Sequence, residues 1–149
     1  MKNKNERGQS LVELGISLLI LMYLLSGAVE FGMAFFQFVQ LRDAAQEGAL
    51  YGSMNPSDIV AIRNRVVGAS SSPINLSGGT VTIAVEIDGI DSSNAAYNTV
   101  DCEGHGLTVR VSYPHQVFMP FIPQLIGRST IPLTATVTDT ILSPLQCTP

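Results

Sequence analysis

Residues 8–52 read GQSLVELGISLLILMYLLSGAVEFGMAFFQFVQLRDAAQEGALYG, from Gly8-Gln9-Ser10 to Leu50-Tyr51-Gly52. This run contains no proline, and Pro56 is the first in the chain. Leu, Ile, Met, Phe and Ala all suit a helix, and nothing forces a break before Gly52-Ser53-Met54-Asn55-Pro56. The expectation is a helix over Ser10–Tyr51, with Ser10 and Glu13 at the two positions of a capping box. Such a helix is about 60 Å long, roughly twice the hydrocarbon thickness of a bilayer. Only its first part can span a membrane, so the rest must pack on something.

The sequence changes character along that helix. Between Leu14 and Leu41 the only charged residue is Glu30. From Arg42 to Gly52 charges alternate with Ala and Gly, which puts Leu41, Ala45 and Ala49 on one face and Phe38 and Arg42 on a neighbouring one. That amphipathic section is suited to lie under a globular domain.

Charge is also unevenly distributed. Lys2, Lys4 and Arg7 precede the apolar run, opposed only by Glu6. From Gln9 onward, eleven acidic residues face five basic ones. A basic cluster before an apolar helix places the N-terminus in the cytoplasm and the remaining domain outside. An acidic domain lacks the basic stripe needed to neutralise phosphates, which argues against a nucleic-acid partner.

Beyond Pro56, Ile59, Ile62 and Val66 recur at helical spacing, predicting a short helix over Ser57–Ala69 that Ser70-Ser71-Ser72-Pro73 stops. Three later segments alternate with period two. Val81, Ile83, Val85 and Ile87 share one side of Thr80–Ile87. Leu107–Tyr113 turns Thr108, Arg110 and Ser112 outward. Ile131–Ile141 places Leu133, Ala135 and Val137 inward and Thr134, Thr136 and Thr138 outward. These are expected to be half-buried strands of a small antiparallel sheet. Asp88–Gly106 reads as a long polar loop.

Gly8 ends a basic leader, and Glu13 is the fifth residue after it, inside an apolar run. This arrangement resembles the prepilin cleavage motif, in which a membrane peptidase cuts after the glycine and the helix stays attached. A carboxylate in hydrocarbon is costly without a partner. The resemblance implies that the partner is the free amine of the new N-terminus, here Gln9, often on a neighbouring subunit. The plainer alternative is that Glu13 is a helix-start charge favoured by the dipole. Three blocks, Gly8-Gln9-Ser10-Leu11-Val12-Glu13, Val29-Glu30-Phe31-Gly32 and Ala44-Ala45-Gln46-Glu47-Gly48-Ala49, make the region similar to TadE-like proteins of the tight-adherence (Tad/Flp) pilus system. Leu107–Pro114 and Ile131–Asp139 resemble that family's C-terminal strands more loosely. Met33 departs from the arginine common at that place. The resemblance implies other pilin subunits, a prepilin peptidase and the Tad assembly platform as partners, in and beyond the inner membrane.

Several residues carry open alternatives. Glu30 either marks the outer membrane surface or pairs with a neighbouring subunit after assembly. Cys102 and Cys147 either bond, remain free thiols, or join His105 around a metal, though the paired spacing of a zinc site is missing. His105 and His115 read as surface or turn residues. Asp88, Asp91, Asp101 and Glu103 read as a solvated acidic loop rather than a calcium site. Val117–Ile126, VFMPFIPQLI, either folds back to complete the core or stands as an exposed apolar patch. No nucleophile elbow, phosphate loop, dinucleotide fingerprint or zinc-protease helix occurs.

The expected architecture is therefore α+β. Residues 1–8 form a leader, 9–52 a long helix with the membrane span, and 53–149 an extracytoplasmic domain with a short helix and an antiparallel sheet. The expected function is a structural pilin or minor pseudopilin, non-enzymatic and without cofactor, first in the inner membrane and then in an extracellular filament. The alternative is a membrane-tethered binding or adhesin domain that keeps its leader as a signal anchor.

Overall fold

A computed structural model describes residues 4–70 and 74–142. Helix α1 runs over Lys4–Met54, about 76 Å at the standard rise. It begins upstream of Ser10, so the expected capping box does not form. Ser10 is interior to the helix because nothing between Lys4 and Gln9 breaks it. Inside the helix, Ser17 Oγ donates to the Glu13 carbonyl at 2.8 Å. At the other end Ser53 Oγ donates to the Leu50 carbonyl, and Asn55 N–H to that of Tyr51, before Pro56 closes the helix.

Helix α2, Ile59–Gly68, is capped by Asp58, whose carboxylate accepts from Ala61 N–H at 2.9 Å. It buries Ile62 and Val66 against α1. Strands β1 (Thr82–Ile87), β2 (Ile90–Asp91), β3 (Gly106–Gln116) and β4 (Thr130–Thr140) form one antiparallel sheet in the order β2-β1-β3-β4. The register sets Val85 opposite Val109 and Val109 opposite Val137. One face therefore carries Val85, Ile87, Leu107, Val109, Val111 and Ala135, all buried. The outer face is polar, with Thr108–Thr138 and Ser112–Thr134 hydroxyl pairs at 2.8 Å.

That buried face lies on the upper half of α1. Leu41, Ala44, Ala45 and Ala49 are fully buried there, as the helical spacing predicts. Glycine is required at two points of this contact. A Cβ on Gly48 would stand 2.4 Å from Val66 Cγ2, and one on Gly52 would stand 2.8 Å from Leu107 Cδ2. Gly52 thus meets Leu107 while Glu30 meets His115, so β3 runs antiparallel to α1 and β4 returns parallel to it.

Two expectations need correction. Asp88–Gly106 is not a featureless loop. Asp88 (φ 48°) and Gly89 (φ 81°) make the turn of a β1–β2 hairpin, both in the left-handed region such turns require. A 3-10 helix, Ala95–Thr99, follows, and its buried Tyr97 donates to the Pro56 carbonyl at 2.9 Å. β3 also runs past Tyr113 through Pro114 to Gln116, with Pro114 directly opposite Pro132. Two residues without N–H can face each other at a non-hydrogen-bonded position with no donor lost from the ladder. Of the alternatives for Val117–Ile126, the structure has the exposed one. The segment forms the β3–β4 hairpin tip with a short helix α3, Ile122–Ile126, that buries none of its residues.

Candidate functional site

The functional residues expected from sequence lie along α1, and its three levels differ. At the lowest level, Gly8, Gln9 and Glu13 are exposed, as is every residue up to Leu25. Glu13 has no ion-pair partner among the described residues. Large apolar side chains surround it on all sides of the helix. In water this surface would be unstable, so its natural neighbours are lipid or other helices. One helix among the described residues is long and apolar enough to cross a membrane, and none of its most apolar window is buried within the protein.

The middle level is a polar knot that sequence reasoning missed. His115 extends the inward-facing series of β3 and is 2% exposed, not a surface or turn residue. Its Nε2 lies 2.9 Å from Glu30 Oε1 and its Nδ1 2.6 Å from Gln37 Oε1. Phe118 N–H also donates to the Glu30 carboxylate, 3.2 Å from each oxygen. A carboxylate only accepts, so Nε2 carries a hydrogen toward Glu30. Glu30 thus has partners within its own chain, a resolution that neither of its sequence-level alternatives contained. Beside it, Gly27, Ala34, Val117, Met119 and Ile131 help line an apolar cleft of about 270 Å³ between α1 and the hairpin tip.

The upper level is the small-residue face under the sheet. It is sealed where Leu142 N–H donates to the Ser53 carbonyl at 2.8 Å.

The remaining candidates serve the domain itself. Asp88 accepts from Gly106 N–H at 3.0 Å and pairs with His105 Nδ1. The His105 hydrogen bond, then that of Gly106, holds the Asp88 carboxyl below its ordinary range. Asp91 is lowered too, through its bonds to Ser93. Burial pushes the Tyr97 hydroxyl upward, with the nearby Asp101 and Asp91 charges adding to it. No cluster of three or more metal-ligating residues occurs among the described residues. Cys102 is buried and is not a free thiol, while Cys147 lies outside the described residues.

Fold and site together define a small α+β domain fixed along the upper half of a long helix whose lower half is an uncovered apolar rod. A family model described as TadE-like protein matches residues 8–50. The match covers most of α1 and stops short of the strands. No curated protein and no solved structure matches the chain.

Proposed function

We propose that the chain is a structural pilin or minor pseudopilin of a Tad/Flp-type pilus. It enters the inner membrane with its N-terminus in the cytoplasm and its domain outside, and a prepilin peptidase cuts between Gly8 and Gln9. The Tad assembly platform then packs it by its lower helix against other pilin subunits. Its role is non-enzymatic. The observation that carries this reading is the complete exposure of residues 8–25 within the TadE-like stretch. A side chain such as Leu18 finds no burial in its own chain, so in this reading lipid covers it first and neighbouring pilin helices after assembly.

Glu13 tests the assembly step. Its partner in this reading is the amine on Gln9, which exists only after cleavage. Glu13→Gln keeps size and hydrogen bonding but removes the charge, and losing a charge does not hinder insertion. The expected outcome is normal membrane level and an intact domain, with little protein in sheared filaments. Normal incorporation would sink the charge-pair mechanism. N-terminal sequencing of the filament protein should begin at Gln9. A start at Met1 would favour the tethered binding domain that keeps its leader.

The same reading includes a bond between Cys102 and Cys147 in the oxidising exterior. Its support is local: Ile141 exchanges backbone hydrogen bonds with Gly104 and His105, so the chain leaving β4 passes the Cys102 turn. Peptide mapping without reductant should recover the two segments joined.

A further inference from the structure

The β3–β4 hairpin tip is the part of the domain that the fold itself leaves unexplained. Phe118, Phe121 and Leu125 are 69%, 73% and 82% exposed, and Val117–Ile126 contains no charged residue. The turn is also strained: Phe121 sits at φ 70°, a left-handed conformation that a bulky side chain seldom adopts. A glycine would relieve the strain, so the position keeps an aromatic ring at the cost of an easier turn.

The depth of the tip along α1 identifies its surroundings. A bilayer core of about 30 Å takes about 20 helical residues, so a span that begins at Leu14 ends near Met33. The tip attaches below that level. A Cβ on Gly27 would touch Met119 Cε at 3.4 Å, and Phe118 N–H bonds Glu30. Gly27 and Glu30 lie about 9 and 5 Å inside the boundary at the standard rise, the depth reached by interfacial elements. Phe31 at the rim of the cleft, and Val29 and Phe35 on the same stretch of helix, are exposed and apolar, so the apolar surface of the tip continues onto α1. Arg128, exposed just beyond the tip, is placed to meet headgroups.

We propose that the hairpin tip Val117–Ile126 is a second membrane-inserted element, seated among the outer-leaflet acyl chains beside α1. It covers Glu30 from lipid while His115 and Phe118 N–H satisfy that carboxylate, so a charge is carried below the surface without facing hydrocarbon. This inference rests on the reading of α1 as a membrane anchor. The occupant it names is lipid, because the patch is continuous with the anchor surface and lies at the same depth.

The chain contains no tryptophan, so single reporters can be placed in the full-length protein. Phe121→Trp, Leu125→Trp, Leu18→Trp and Val60→Trp variants would be reconstituted in phosphatidylcholine–phosphatidylglycerol vesicles containing mid-chain brominated lipid. Leu18 reports on the anchor, and Val60, exposed on α2, reports on water. The expected result is loss of most tip emission to brominated lipid, as for Leu18, while Val60 is quenched by aqueous iodide instead. The second tip reporter guards against misfolding of the first. Quenching of both tip reporters by iodide, with Leu18 still quenched by lipid, overturns the inference and leaves the anchor standing. Tip reporters shielded from both quenchers mean that another protein copy covers the tip, which also overturns it. If Leu18 escapes the brominated lipid too, both readings fall.

Discussion

The lower half of α1 is apolar all round and bare, while the upper half is apolar on one face only, and that face is sealed. Between Gly8 and Leu25 no side chain is buried, although Leu and Ile dominate. Between Leu41 and Ser53 the sheet and α2 press onto Ala44, Ala45, Gly48, Ala49 and Gly52. Apart from the charges of Arg42, Asp43 and Glu47 on the exposed face, side-chain size on the apolar face separates the halves. Small residues let a strand and a second helix approach the backbone closely, while large ones present area to a fluid or to another subunit. Between them, Glu30, Gln37 and His115 form a polar joint to the domain, while Phe35 and Phe36 on the same stretch of helix stay exposed.

The sharpest way to break this contrast is to make one substitution in both halves. Leu41→Ala empties a fully buried site and should lower domain stability by about 2–5 kcal/mol, read by thermal unfolding in detergent. Leu18→Ala should leave that transition where it was. Equal shifts would mean that the lower half also packs on the domain.

A smaller loss is expected at the joint. His115→Ala strips Glu30 of its ring partner and should cost about 2 kcal/mol, since hydrogen bonds to charged groups are the stronger class. Combining it with Glu30→Ala should cost clearly less than the sum of the two single losses. Additivity would show that the two side chains act independently.

Gly48→Ala comes next. Its new methyl collides with Val66, a branched side chain with little room to turn, and overpacking of this kind costs about 1–3 kcal/mol. The helix-propensity gain of about 1 kcal/mol from replacing glycine offsets part of it. Gly15→Ala has nothing within 4 Å to meet and should show only the gain, as raised helix content or no change.

The smallest effect concerns acid. The Asp88 pKa is depressed, so its contribution is present above the ordinary carboxylate range and fades as pH falls through the lowered value. The pair is largely exposed, so the change is slight. Urea midpoints of wild type and Asp88→Asn should differ at about pH 6 and converge toward about pH 2. A constant gap would remove Asp88 ionisation as its cause.

Much of the fold was legible because its signals are periodic. The alternation in β1, β3 and β4 and the Leu41–Ala45–Ala49 face follow from side-chain geometry alone. The β1–β2 hairpin has only a short signal, Asp88-Gly89 between Ile87 and Ile90, a turn pair flanked by apolar residues inside an otherwise polar stretch. His115 was also available in principle, as the next inward position after Leu107, Val109, Val111 and Tyr113. Pro114 masked it, because a proline ordinarily ends a central strand. β1 reaches only Ser112, however, so Pro114 has a neighbour on one side alone. The Glu30 partnership was not legible at all. It joins residues 85 positions apart, and no local pattern encodes which loop returns to a helix.

The two fastenings of the domain to α1 carry a mechanical consequence. One is the Glu30–His115 joint and the other the Leu142–Ser53 hydrogen bond, with β3 and β4 lying lengthwise between them. The domain is therefore splinted to the rod at both ends and has no single hinge about which to swing. Axial tension on α1 enters the sheet parallel to its strands and loads the β3–β4 ladder in shear. Its hydrogen bonds then share the load together, where a domain hung from one end would be peeled open one bond at a time.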